Sequence, residues 1–379
     1  MVAARHRERW YLYGDDDVLA DDLLRRDLAR AQSASERAWL LKHWPSLGGF
    51  DAAEQWLVQR EPALLEHVPG RAAMLRVLQH HGDPNPWLAL MPKTVERSFQ
   101  DLCQVTTDGQ SALELWLGGG LGDQLECLAQ LHDPVLKAWM PRLLVRLPLQ
   151  SRLALGPFLQ EFWPKQAPSL TFLPAAAEDN DQPVWFSQMG WSCLLGQAGL
   201  QPKPQVLQPA VVDDSQVPSL LCCWRSKIDP DDRHWAHLRS WPFPEIARLY
   251  GRLVPWARCR GIRLIDITAY RSDERQTLLR HIPTLELAQP GIRSLCDTAA
   301  LLRVSRGVIS VDTALVHLAA WFGWPTLLLL HQYFDSRWNN RPLGLNQPHP
   351  IQVLRQTRYN SWREVSDTLL SSLADWPWL

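Results

Sequence analysis

From residue 219 onward the chain repeats one unit: a short apolar run without polar alternation, then a longer stretch with apolar residues three or four apart. SLLCCW (219–224) precedes PEIARLYGRLVPWARCRG, and IRLIDIT (262–268) precedes SDERQTLLRHI. TLELA (284–288) precedes DTAALLRVS, and GVISVD (307–312) precedes TALVHLAAWFG, which runs on into TLLLLH. A strand that is apolar on both faces has to be covered on both faces, and strands joined through helices run parallel by right-handed crossovers. This half of the chain is therefore predicted to be a parallel sheet with helices on either side.

The 379 residues, 46% of them hydrophobic, leave room for more than one core. Residues 18 to 100 show helical spacing only, in VLADDLLRRDLARA, SERAWLLKHW, DAAEQWLVQREPALLEHV and GRAAMLRVLQHH. SLGGFDAAEQWLVQREP resembles the second helix of a tetratricopeptide unit, and an irregular stack of helical hairpins accounts for it equally well. From residue 111, SALELWLGGGLGDQLECLAQL reads as strand, glycine-rich turn and helix, which is how a Rossmann-like domain opens. The apolar runs VLKAWM, RLLVRLPL, SLTFLP and PVWFSQ follow, and residues 200–219, with four prolines, read as an extended linker. The expected fold class is α/β: an all-α segment (1–108) ahead of two Rossmann-like lobes (109–212 and 213–379). A cleft is expected at the carboxyl ends of both sheets.

Lysine plus arginine (39) balances aspartate plus glutamate (40), so no net field draws the chain to nucleic acid. Seven cysteines without a CxxC pair indicate neither a disulfide framework nor a zinc site. The amino terminus is charged where a leader peptide is apolar, and the run 318–330 is too short to span a bilayer, so the expected location is the cytoplasm with no transmembrane segment.

Two features carry candidate chemistry. Asp312 and Thr313 end a buried strand and open the next helix, whose first backbone N–H groups point into the expected cleft and suit an anion. Thr313 adds a hydroxyl, and His317, about one turn on, lies on the same side. Asp312 as a helix cap and His317 as a core histidine form the competing interpretation. The second feature is the turn Gly118, Gly119, Gly120 and Gly122 with Asp123. Glycines there permit close backbone approach to a ligand, or simply a tight turn. No acid stands about twenty residues on at the end of a second strand, which disfavours a dinucleotide cofactor.

The ordered set DTAALLRVSRGVISVDTALVHLAAWFGWPTLLLL resembles the carboxyl-terminal lobe of bacterial heptosyltransferase-like glycosyltransferases, and more closely the glycosyltransferase domains found behind tetratricopeptide repeats. FDSRWNN (334–340) is similar to that group's D-W-R-W segment, and PHPIQVLRQTRYNSWREV (348–365) to its closing block. The resemblance implies a GT-B fold of two Rossmann-like lobes and transfer of a sugar from a nucleoside-diphosphate sugar to an acceptor hydroxyl. That transfer would be inverting, without a metal and without a further cofactor. It also implies that Arg225, Ser226, Lys227, Arg239, Asp312, Thr313, Ala314 and His317 hold the donor diphosphate and sugar, with Asp123 as general base. Asp123 as a first-turn acid of its helix, and Lys227 as a solvated loop charge, are the plainer alternatives.

Asp266 and Glu274 both lie where relatives carry a ribose-binding acid, and His331, Asp335 and Arg337 fall at the expected cleft edge as second-rank candidates. The sequence departs from the group at Ala314, where heptosyltransferases have glycine, and at Ser336, which replaces a tryptophan. An alternative function follows from these departures: a catalytically inactive scaffold of the same fold that holds a protein partner through its helical amino-terminal segment.

Overall fold

The apolar runs of the carboxyl-terminal half form one six-stranded sheet in which every pairing is parallel. The computed structural model describes residues 17–44, 50–66, 70, 73, 74, 77, 113–137, 143–165, 168–173, 205–207, 217–226, 239–331, 338, 351–357, 361–374 and 376. Within them, the amino-terminal segment contains α1 (Asp17–Arg30), α2 (Ala34–His43) and α3 (Phe50–Gln55). The first sheet contains β1 (Leu113–Trp116), β2 (Leu143–Pro148) and β3 (Ser169–Leu173), with α4 (Leu121–Gln130), α5 (Pro134–Lys137) and α6 (Arg152–Phe162) between them. The second contains β4 (Ser219–Cys223), α7 (Phe243–Cys259), β5 (Arg263–Asp266), α8 (Ser272–His281), β6 (Glu286–Leu287), α9 (Leu295–Arg303), β7 (Gly307–Val311), α10 (Ala314–Phe322), β8 (Thr326–Leu330), β9 (Ile351–Arg355) and α11 (Trp362–Ala374).

The second sheet runs β6-β5-β4-β7-β8-β9. The chain winds outward from β4 and then returns to place β7 on β4's other side, so the winding direction reverses between these two strands. β4, β7 and β8 are buried at every residue, because helices cover both faces. Leu220, Cys222, Leu264, Ile309 and Leu327 pack with α7 and α11, whereas Leu221, Cys223, Ile265 and Val308 pack with α9 and α10.

The second of these clusters also takes in Leu115, Val145, Leu147, Leu125, Leu128 and Phe158 of the first lobe, so the two sheets share one apolar core. Two linker residues tie into it. The Gln205 N–H donates to the Ala129 carbonyl (3.1 Å) and the Leu207 N–H to that of Trp321 (3.0 Å), one in each lobe. The helical segment has its own core around Leu28, Leu40, Leu41, Trp44 and Leu57.

Three local readings change. The helix over 51–68 is interrupted: α3 gives way to a wide π-turn over Trp56–Arg60 and a tighter turn over Pro62–Glu66. Pro62 excludes helical backbone at the residue before it, and Glu61 accordingly sits at φ −137°, ψ 64°. The apolar run VLKAWM begins with α5 rather than a strand; Pro134 at the first helical position is already set to helical φ. β9 and α11 were not legible as elements, since β9 is a half-solvated edge strand that mixes Gln352 and Arg355 with its apolar residues. PVWFSQ lies outside the described residues. Among the described residues no helix is long and apolar enough to cross a membrane.

Candidate functional site

The winding reverses between β4 and β7, and sheets of this winding bind ligands outside the carboxyl ends of the strands at that point. β4 delivers Trp224, Arg225 and Ser226 to it, and β7 delivers Asp312 and Thr313. The segment before α7 returns to the same place: the Ser226 N–H donates to the Ser240 hydroxyl (3.0 Å) and the Trp241 N–H to the Trp224 carbonyl (2.9 Å). Arg239 is thereby held beside Asp312. Its Nη1 donates to the Asp312 carbonyl over 3.3 Å and lies 3.8 Å from the Asp312 carboxylate, both long contacts.

Thr313 has extended backbone and opens α10. Its hydroxyl lies 3.1 Å from that of Ser310 instead of capping the first-turn amides. Beside it, burial and then the charge of Asp266 push the Cys223 thiol up to about 12, so this side chain is a neutral thiol and no nucleophile.

Arg225 is committed more firmly. Nη1 and Nη2 donate to the two carboxylate oxygens of Glu274 (2.8 and 3.0 Å), Nε donates to the Trp241 carbonyl (3.2 Å), and the guanidinium covers the Tyr270 ring. Burial alone raises the Glu274 carboxyl, but the bonds from Arg225 and the Arg271 N–H, with both guanidinium charges, hold it below the usual range. Glu274 is thus the partner that fixes Arg225.

Asp266 is corrected as a ribose-binding candidate. It is fully buried, and its carboxylate accepts from the Tyr250 and Tyr270 hydroxyls (2.6 Å each) and the Thr268 N–H (2.7 Å). Tyr250 in turn accepts from Trp224 Nε1 (2.6 Å), and Thr268 accepts from the Trp224 N–H (2.9 Å). Burial raises the Asp266 carboxyl against the opposing pull of these donors. The group ties the ends of β4 and β5 to α7 from inside, where a ligand has no access.

On the other lobe the glycine turn works as a close-packing device. Gly119 has φ +78°, a left-handed conformation suited to glycine. Gly120 opens α4, and its N–H donates to the Asp123 carboxylate (2.8 Å). Asp123 therefore bonds back to the start of its own helix while remaining partly exposed at the helix head. Gly122 lies directly against α10: a Cβ there would come within 2.7 Å of the His317 ring and 3.6 Å of the Ala314 Cα. Further along, Trp321 Nε1 donates to the Leu125 carbonyl (2.9 Å). The two helices hence run side by side in the same direction, with their positive N-terminal ends together.

His317 and His331 are both buried, each 3% exposed. His331, expected at the cleft edge, is corrected to an interior position at the end of β8. Asp312 is 6% exposed, while Thr313 and Ala314 are half-buried. Gly118 is buried, Gly119 and Gly120 exposed. Lys227, Asp335 and Arg337 lie outside the described residues. Sequence reasoning missed Glu126, a buried acid facing His317; a lone acid inside the otherwise apolar face of LECLAQL was the available signal. Among the described residues no three His, Cys, Asp or Glu side chains group closely enough to hold a metal ion.

The chain is thus an α/β protein of parallel sheets in which the β4–β7 reversal brings two helix N-termini, a threonine and arginines to one place. No protein-family model matches it, and no curated protein does. Among solved structures it is similar to the ADP-heptose lipopolysaccharide heptosyltransferase II of E. coli, with 14% identity over 70% of this chain and 98% of that one, at a TM-score of 0.48. It is also similar to a glycosyl transferase family 9 protein of Veillonella parvula (11%, 68% and 88%, 0.45). A third is the E. coli heptosyltransferase WaaC with ADP (12%, 69% and 98%, 0.42).

Proposed function

We propose that this chain is a glycosyltransferase of the two-lobed GT-B kind, with a nucleoside-diphosphate sugar as donor. The observation that carries this reading is the head of α10. It opens at the β4–β7 reversal with Thr313 turned away from capping and Arg239 beside Asp312. Backbone N–H groups at a helix N-terminus and a guanidinium suit a diphosphate, and the adjoining head of α4 adds a second positive dipole end. The ordered motifs around Asp312, Thr313 and His317 support the same chemistry.

In the reaction the acceptor hydroxyl attacks the anomeric carbon as the bond to the diphosphate breaks, and the configuration inverts. The hydroxyl proton passes to Asp123, and the nucleoside diphosphate leaves with its new charge facing α10 and Arg239. Arg225, locked to Glu274, shapes the crevice floor. No metal is required by this scheme.

Calorimetry against a panel of nucleoside diphosphates tests the reading. At least one is expected to bind with micromolar affinity, and the Arg239→Ala, Thr313→Ala double variant is expected to lose that binding. With a donor found, Asp123→Asn is expected to lose turnover while keeping donor affinity; unchanged turnover removes Asp123 as the base. A second reading, a scaffold that holds a partner through its helical segment, draws on the burial of Asp312 and His317. Absence of binding across the whole panel selects it.

A further inference from the structure

Two hydroxyls and a thiol meet under the head of α10. Ser310 of β7 and Cys223 of β4 are register partners and both are buried, while Thr313 stands half-buried just past the end of β7. Each of the three has a single hydrogen to donate, so the direction of every contact can be counted. Ser310 Oγ lies 2.7 Å from the Val311 carbonyl, and a carbonyl only accepts, so the Ser310 hydrogen is engaged there. The 3.1 Å contact between the Ser310 and Thr313 hydroxyls then has Thr313 as its donor.

The thiol leads to the same result. Burial and the charge of Asp266 keep Cys223 protonated, and its S–H donates to the Arg225 carbonyl (3.4 Å), so it presents to the neighbouring Thr313 only a sulfur that accepts weakly. Nor does the Thr313 oxygen cap an amide of α10. The Thr313 hydrogen therefore points into the fold, and the oxygen offers lone pairs to whatever lies beyond the strand end. An ionised phosphate oxygen only accepts and cannot pair with it, whereas a ligand hydroxyl can donate to it.

We propose that Thr313 accepts a hydrogen bond from a sugar hydroxyl of the donor, and that Ser310 is the positioning residue that draws the Thr313 hydrogen inward. The inference rests on the donor reading above, in which the α10 N–H groups and Arg239 meet the diphosphate, and it makes Thr313 a residue that reads the sugar instead of the phosphates. Ribose and the transferred sugar both carry such hydroxyls, and the test separates them.

Calorimetry on the full chain uses inorganic pyrophosphate, then ADP, UDP and GDP, then ADP-glucose, UDP-glucose and GDP-mannose. Thr313→Val keeps the shape of the side chain and deletes the hydroxyl. With Arg239 in place it is expected to leave pyrophosphate affinity unchanged and to weaken a hydroxyl-bearing probe by about three- to tenfold, the worth of one neutral hydrogen bond. Weakening that starts with the nucleoside diphosphates assigns the hydroxyl to ribose, and weakening confined to the sugar nucleotides assigns it to the transferred sugar. Thr313→Ser is expected to rescue the affinity. Ser310→Ala lets the Thr313 hydrogen turn outward, so it is expected to weaken the same probes without weakening pyrophosphate; a purely structural Ser310 would shift every probe together. Thr313→Val that weakens pyrophosphate as much as the rest, or that binds every probe as wild type does, overturns the proposal and leaves the diphosphate reading intact.

Urea unfolding of Ser310→Ala, Thr313→Val and the double variant supplies an arm that needs no ligand. The two hydroxyls are expected to couple, by about threefold or more in the unfolding constant. Additivity overturns the proposal whatever binds. Coupling without binding of any probe keeps the inward hydrogen but sinks the diphosphate reading, and the sugar contact with it. Should Ser310→Ala fail to fold, the Thr313→Val series decides alone.

Discussion

Substituting Gly122 by alanine tests how closely the two lobes are docked. The backbone there is not left-handed, so alanine fits the local conformation, and the extra methyl alone decides the outcome. A Cβ at this position would lie 2.7 Å from His317 Cδ2 and 3.1 Å from Nε2, closer than carbon atoms pack. The ring has little room to move away, since Glu126 lies at one nitrogen and Trp338 beside its face. Overpacking of this sort costs about 1–3 kcal/mol, while replacing a helical glycine returns up to about 1 kcal/mol through propensity and unfolded-state entropy. A net loss of about 1–2 kcal/mol is expected for Gly122→Ala. Gly251, exposed in the middle of α7 with nothing within 4 Å of its own would-be Cβ, is the matched control. Gly251→Ala is expected to gain about 0.5–1 kcal/mol. Urea unfolding at constant m-value measures both. Adding His317→Ala to Gly122→Ala removes the obstacle, and the double cycle is expected to show coupling of about 1 kcal/mol or more. A Gly122→Ala protein as stable as wild type, or a cycle that closes additively, refutes the close docking of α4 on α10.

Other perturbations address the crevice floor. Tyr250→Phe removes a donor to the buried Asp266 carboxylate and the acceptor of Trp224 Nε1; a loss of about 2–3 kcal/mol in unfolding free energy is expected, and a neutral result removes Asp266 as the tie between β4, β5 and α7. Because the Glu274 carboxyl is held below its usual range, its contribution is present above the unfolded-state value and is lost as pH falls through the folded-state value. Wild type is therefore expected to weaken on acidification below about pH 4, and Arg225→Met to weaken less over that interval, after an initial cost of about 1–3 kcal/mol at neutral pH. Equal acid sensitivity of the two proteins dismisses Arg225 as the cause.

Much of the second sheet was legible because its strands are buried on both faces and its helices are amphipathic, so each announces itself over a handful of residues. The position of Thr313 at a helix head after a central strand followed from the same pattern. β9 escaped, since an edge strand with one solvated face has no unbroken apolar run, and the break in the helix over 51–68 hinged on what Pro62 does to the residue before it. Roles were less legible than positions. Asp266 and Glu274 look alike in sequence, yet one is sealed beneath two tyrosines and the other clamps an arginine at the crevice.

The sequence by itself determined the α/β class, the alternation of elements and the residues that lie at strand ends, because periodicity and helix-start chemistry act over one or two turns. The contacts that join the lobes were decided by tertiary structure alone. Trp321 finds the carbonyl of Leu125 from 196 positions away, and Glu126 meets His317 from a different sheet. No local pattern encodes such meetings. They follow from how two apolar helix faces dock, and that docking depends on where a glycine leaves room for an imidazole.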